Sequence, residues 1–70
     1  MHRYAVPSEH EPRLEAWLDR REIHYEVAVS KKPGRLIILV DFTNQERYRD
    51  MFENQVRKIP GGKILKKQGG

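Results

Sequence analysis

Two adjacent segments with strand character, separated by a tight turn, constrain this chain most. From Ile23 to Val29 apolar side chains recur at every second position, which indicates a strand with one buried face. Residues 36–40 (LIILV) form an uninterrupted, largely aliphatic run, which is typical of a central strand. The KKPG sequence at 31–34 favours a turn, because proline fixes one dihedral angle and glycine accepts a positive φ. These residues therefore predict a β-hairpin.

A helix is predicted before the hairpin. It begins either at a capping box formed by Ser8 and Glu11 or at Pro12, since proline is favoured in the first helical position. The apolar side chains that share one face of this helix, and that we expect in the core, are Leu14, Trp17 and Leu18.

A second helix is predicted after the hairpin. Thr43 and Glu46 have the spacing of a capping box, in which each side chain bonds a free backbone amide of the first turn. The residues that follow predict an amphipathic helix. The face that we expect to be buried carries Tyr48, Met51, Phe52 and Val56.

Short strand candidates at residues 3–6 and 63–66 complete the order strand, helix, strand, strand, helix, strand. This order resembles the ferredoxin-like β-α-β-β-α-β arrangement over nearly the whole chain. The resemblance implies an α+β domain with a four-stranded antiparallel sheet and both helices on one face. We expect a single domain at residues 1–67 and a flexible tail at 68–70.

Basic residues concentrate in the second part of the chain. Residues 1–30 carry four basic and six acidic residues, whereas residues 31–70 carry ten basic and four acidic ones. The expected topology brings the hairpin turn and the connection into the last strand to one end of the sheet. We therefore predict a basic edge that contacts nucleic acid or another polyanion, such as an acidic protein surface. Its residues are Lys31, Lys32, Arg35, Arg57, Lys58 and Lys63. The alternative interpretation is that these side chains keep the chain soluble and protect a strand edge.

The central strand favours a different site. If Ile38 faces the helices, Ile37 and Leu39 face outward beside Ala28 and form an apolar patch on the open sheet face. This predicts, as an alternative, a protein-interaction module. It would form a homodimer, or it would be an inhibitor or regulator of phage type that binds a larger machine.

RNA-recognition motifs share this order of elements, but Ile37 and Leu39 occupy the positions of their base-stacking rings. Nucleic-acid binding would therefore have to come from the basic edge, with Tyr4 and Tyr25 as candidates for stacking on bases.

Other functional classes lack support in the sequence. Without cysteine there is no disulfide framework or thiolate zinc site, which favours a cytoplasmic protein. The three histidines do not have metal-ligand spacing, and neither serine belongs to a catalytic signature. The chain has no apolar run that could cross a membrane. We therefore expect a non-enzymatic protein with no cofactor and no metal.

Overall fold

The computed structural model describes residues 1–65, so the expected domain limit at 67 and the tail at 68–70 lie outside the described residues. Strand β1 (His2–Pro7) leads through a 3-10 turn (Ser8–His10) into helix α1 (Glu11–Arg20). Strands β2 (His24–Val29) and β3 (Arg35–Asp41) form the expected hairpin. Helix α2 (Arg47–Lys58) and strand β4 (Lys63–Leu65) follow.

The strands form one four-stranded sheet in the order β2-β3-β1-β4, and every neighbouring pair is antiparallel. Strands β3 and β1 occupy the centre, with Ile38 directly opposite Tyr4 on one side and Val27 on the other. The prediction of an α+β chain with a four-stranded antiparallel sheet and two helices is confirmed.

The core lies on one face of this sheet. Tyr4 and Val6 of β1, and Ile38 and Val40 of β3, are buried at alternate positions on this face, as strand geometry requires of a sheet covered on one side. Ala5, between the first two, is also buried but lies on the opposite face. The same cluster receives apolar side chains from both helices. Its principal members are Tyr4, Val6, Leu14, Leu18, Ile38, Val40, Phe52 and Val56. Both helices therefore cover the same face, and no element within residues 1–65 covers the opposite face, which is called the open face below.

Both capping-box predictions are wrong. Helix α1 begins at Glu11 with Pro12 in its first turn, and the Ser8 side chain makes no capping hydrogen bond. Helix α2 begins only at Arg47, also without a side-chain cap. Thr43 instead donates from its backbone N and its Oγ1 to Asp41 Oδ1, at 2.9 and 2.6 Å. A separate turn, in which Gln45 N donates to the Phe42 carbonyl oxygen, lies between Thr43 and the helix. The contact of Thr43 with Asp41 therefore stabilises the end of β3 and does not cap α2.

The predicted core residues of the helices differ in their burial. Phe52 is fully buried, but Met51 is 48% exposed, so its assignment to the core is wrong. It lies at the margin of the α2 face that packs on the sheet. Trp17 is half-buried and packs against Phe52, with ring centroids 5.5 Å apart. The Arg21 guanidinium covers its outer side, 3.8 Å from the ring centroid.

Strand β2 is covered over only part of its length. Ile23, just before the strand, is buried and Tyr25 is half-buried, whereas Val27 is 41% and Val29 87% exposed. All four lie on the helix side of the sheet, as their alternation predicts. A helix of ten residues spans only about 15 Å, and β2 is an edge strand. The two valines therefore extend beyond the helix that covers Tyr25.

Candidate functional site: a basic groove on the open sheet face

The open face is built from alternate residues of all four strands. In one row across the sheet, Ile37 lies between Ala28 and Ala5, and Ala5 is opposite Lys63. In the next row, Leu39 lies between Glu26 and Arg3, and Arg3 is opposite Leu65. In the second row aliphatic and basic side chains alternate across the central strands and β4, whereas in the first row the basic side chain lies on β4 beside two aliphatic ones.

A groove of about 440 Å³ lies on this face. Ala5 and Ile37 form an apolar floor, and none of the lining residues is acidic. The cationic residues that line it are Arg3, Lys31, Lys32, Arg35 and Lys63. Clustering of like charges along a concave apolar surface creates a positive potential that attracts anions.

Three connections meet at one end of the groove. The Ser8 backbone amide, at the start of the 3-10 turn, donates to the Gly34 carbonyl of the hairpin turn at 2.9 Å. Gly61 has a φ of +83°, and a Cβ placed there would lie 3.3 Å from Arg35 Nη2 and 3.4 Å from Pro7 Cγ. The Arg35 side chain thus extends across Pro7 towards the turn before β4. Glycine at 61 leaves space for the guanidinium.

Four of the six predicted basic residues line the groove: Lys31, Lys32, Arg35 and Lys63. Arg57 and Lys58 do not, because they lie in the last turn of α2, in the helix layer. Arg57 there bonds Asn54 Oδ1 at 3.1 Å and lies 3.9 Å from Glu53.

The residues predicted for a protein interface occupy the same open face. Ile37 forms part of the groove floor, and Ala28 and Leu39 are its neighbours across and along the sheet. The basic and apolar sites, which the sequence presented as two surfaces, are therefore continuous.

Arg3, Ala5 and Leu65 also line the groove but were not among the predicted site residues. For Arg3 and Ala5, the strand pattern of β1 contains the information needed to place them. Once Tyr4 is assigned to the core, strand alternation places both of its neighbours on the open face. The pairing of Leu65 with Arg3 depends on the register of β4, which a three-residue strand does not encode by pattern.

Tyr4 and Tyr25, the candidate stacking residues, both lie on the helix-covered face and not in the groove. Tyr4 is fully buried and donates its hydroxyl to Glu53 Oε2 at 2.9 Å, and burial raises the pKa of Tyr4. The Tyr25 hydroxyl lies 3.0 Å from both Glu15 Oε1 and Asp19 Oδ1, on α1. Burial, together with these acceptors, raises the pKa of Tyr25.

A buried acid lies at the start of α1. Glu11 is only 5% exposed, and its Oε1 has no hydrogen-bond partner among residues 1–65. Burial, and secondarily the neighbouring Glu15 carboxylate, raise the pKa of Glu11 to about 7. This group lies in the helix layer and takes no part in the groove.

Within residues 1–65 the structure contains neither a cluster of metal-ligating side chains nor a helix that could span a membrane. There, no three His, Asp or Glu side chains converge on a point where a metal could bind. In the Glu9-His10-Glu11 segment, His10 Nε2 lies 4.0 Å from Glu9 Oε1, while Glu11 is buried. Neither of the described helices is long and apolar enough to cross a membrane.

Comparisons with known protein families, curated proteins and solved structures find no match to this chain.

Proposed function

We propose that this chain is a small non-enzymatic protein that binds nucleic acid through the groove on its open sheet face. The observation that carries the proposal is the convergence of five cationic residues around a groove without an acidic lining residue. They come from three separate parts of the chain: β1, the hairpin turn with the start of β3, and β4. Bound phosphates would relieve the mutual repulsion of these side chains and release counterions from the nucleic acid.

Phosphate contacts dominate the proposed mechanism. Arg35 and Arg3 can each donate two parallel hydrogen bonds to one phosphate, whereas the lysines act as point charges. The floor formed by Ala5 and Ile37 offers apolar contact to sugars and base faces but no aromatic ring. Such a site binds a single strand with little preference for sequence, because phosphates carry no sequence information.

We infer that the fold is ferredoxin-like. What supports this is the element order together with the strand order β2-β3-β1-β4, in which β1 and β3 pair at the centre. Both crossovers then place their helices on one face, as right-handed connections require. The open face of such a fold is free for a ligand, but fold alone does not determine which ligand binds.

The test is fluorescence anisotropy with labelled single-stranded RNA and DNA of mixed sequence, titrated at several salt concentrations. In single-strand binding each phosphate contact contributes about −0.7 to the slope of log K against log salt. The variant K31Q/K32Q/R35Q removes three of the five groove cations, so we expect weaker binding and a slope shallower by about 2.

The matched control is R13Q/R20Q/K58Q. It removes the same charge from exposed helix positions outside the groove. We expect it to keep most of the affinity and the full salt slope. Equal losses in the two variants would show a general charge effect, and unchanged affinity of K31Q/K32Q/R35Q would refute the proposal.

A second candidate function is protein interaction, favoured by the half-buried Ile37 and Leu39 on the same face. A partner with an apolar contact surface and acidic margins would match both the floor and the walls of the groove. The charges would then steer the encounter, while the aliphatic side chains contribute the affinity.

A further inference from the structure

We propose that a bound single strand crosses the open sheet face diagonally, from β4 to the hairpin turn, and that this path holds no more than about six nucleotides. The inference rests on the proposed function and adds the path and the length of the ligand. It follows from where the sheet register places the charged residues of the open face.

The cations of the groove lie on a line that is oblique to the strands. Lys63 on β4 and Arg3 on β1 occupy neighbouring rows of side chains. Arg35 lies on β3, two rows beyond Arg3 in the direction of the hairpin turn. Lys31 and Lys32 lie within that turn, after the end of β2. A polyanion that contacts all of these side chains therefore crosses the sheet and moves along it at the same time.

The corner of the open face beside this diagonal is acidic. Glu26 on β2 lies opposite Leu39, and Asp41 at the end of β3 lies opposite His24. Two hydrogen bonds from Thr43 hold the pKa of Asp41 below its usual range, so this carboxylate is ionised at neutral pH. A polyanion is repelled from this corner. It therefore follows the diagonal and does not run along β2.

The length of the diagonal limits the number of nucleotides. The rows of Arg3 and Arg35 are four residues apart along β1, which is about 13 Å, and β2 lies about 10 Å from β1 across the sheet. With the two turn lysines the path is about 20 Å long. One strand advances about 3.4 Å per nucleotide in duplex geometry, and an unstacked strand advances further, so at most about six nucleotides fit. About six nucleotides contain about five phosphates, which matches the five cations of the groove.

The first test measures affinity as a function of ligand length by fluorescence anisotropy. Labelled oligoadenylates, whose purine bases stack strongly, are used at lengths from about three to about twelve nucleotides. We expect the affinity to rise steeply up to about six nucleotides and afterwards only by the statistical factor of additional binding positions. The slope of log K against log salt should become no steeper than about −3.5, the value for five phosphate contacts.

Paired substitutions at the two ends test whether one strand occupies the whole path. R3Q/K63Q removes the cations at the β4 end, and K31Q/K32Q removes those at the hairpin end. For the ligand of about six nucleotides, each variant should weaken binding and make the salt slope shallower by about 1.4, because the strand contacts both ends. A trinucleotide is about 10 Å long in stacked form, so each variant should weaken its binding only about twofold, since the other end remains available.

Two further variants serve as controls. R13Q/K58Q removes one arginine and one lysine, as R3Q/K63Q does, but from exposed helix positions outside the groove. It should leave the affinity for both ligands nearly unchanged. Glu26→Gln should strengthen the longer ligand less than about threefold at about 0.1 M salt, because the diagonal lies about one Debye length, about 10 Å, from this carboxylate.

The possible results separate this inference from the proposed function. An affinity that continues to rise steeply between about six and about twelve nucleotides would overturn the inference but not the proposed function. The same holds if the end variants affect the longer ligand as weakly as the trinucleotide, or if Glu26→Gln strengthens it about tenfold. Circular dichroism verifies that each variant is folded. If the parent chain binds no oligonucleotide of any length, the proposed function is refuted and the inference with it.

Discussion

Glu11 shows how a single side chain can depart from the pattern around it. The sequence suggested a capping role for this residue, yet the carboxyl is buried at the start of α1 with Oε1 unbonded. The spacing from Ser8 to Glu11 matches a capping box, but the backbone amide of Ser8 bonds the hairpin turn. Local spacing does not reveal such a tertiary contact, so this side chain could not have been placed from the sequence.

The raised pKa of Glu11 makes folding stability depend on pH. Its pKa is about 7 in the folded chain, against an ordinary value of 4.5. Folding therefore favours the protonated acid, and this contribution is fully present below pH 4.5. It is lost as the pH rises through about 7, because ionisation then places a charge in a buried site.

We expect Glu11→Gln to reduce this pH dependence. The neutral amide approximates the protonated acid, so the variant should match the parent at low pH and exceed its stability above about pH 7. Urea unfolding at a series of pH values measures the difference between the two. Glu9→Gln, an exposed acid in the preceding turn, is the control and should leave the profile unchanged. A constant difference between parent and Glu11→Gln across the range would contradict the assignment.

At the scale of elements, strand periodicity was the most informative signal. It predicted the β2–β3 hairpin correctly, but it left open which face of β3 is buried, because both rows of side chains on that strand are aliphatic. The structure buries the row that contains Ile38 and Val40. Strand periodicity could not show how far the helices cover that face. The exposure of Val27 and Val29 follows from the length and position of α1, which the local pattern does not contain.

The connection between α2 and β4 depends on its two glycines in different ways. A Cβ on Gly62 would clash with the Val56 carbonyl oxygen, a backbone atom near the end of the helix. Gly61 has a positive φ and a Cβ there would approach the Arg35 guanidinium, which is flexible. Gly34, in the hairpin turn, has a positive φ of 76° but open space around it.

We therefore expect a graded cost of alanine at these positions. Gly34→Ala should lower the free energy of unfolding by about 1–2 kcal/mol, the cost of a left-handed residue with a Cβ. Gly61→Ala should cost slightly more and should also displace Arg35. Gly62→Ala should cost more than about 3 kcal/mol, because backbone must move. Urea titration of the three variants gives the order, and a Gly62→Ala variant as stable as Gly34→Ala would contradict it.

At the scale of the whole molecule, the site arises from topology. The sequence identified Lys31, Lys32, Arg35 and Lys63 as one group, because the expected topology joins the hairpin to the last connection. Arg57 and Lys58, predicted for the same group, lie at the end of α2 and do not line the groove. Their closeness in sequence to β4 does not show whether they belong to the sheet layer or to the helix layer. The sequence also presented the basic and apolar residues separately, whereas the sheet register makes them one surface.

Both candidate functions use this one surface, so a variant that changes its charge would weaken nucleic-acid binding and protein binding alike. An uncharged substitution of its aliphatic residues distinguishes the two functions. We expect I37N/L39N to retain nucleic-acid affinity within about threefold and the full salt slope, since phosphate binding depends on the cations that remain. A protein partner that buries these aliphatic side chains would lose most of its affinity, because the amides would be desolvated without partners.

Ala28→Ser is the conservative control for this experiment. It lies in the same row as Ile37 but changes the apolar surface little. Anisotropy with single-stranded RNA and DNA measures the first function, and circular dichroism verifies the fold. If I37N/L39N loses nucleic-acid binding while remaining folded, the apolar floor itself contacts the bases, and the electrostatic mechanism is incomplete. If binding persists, the cations of the groove suffice.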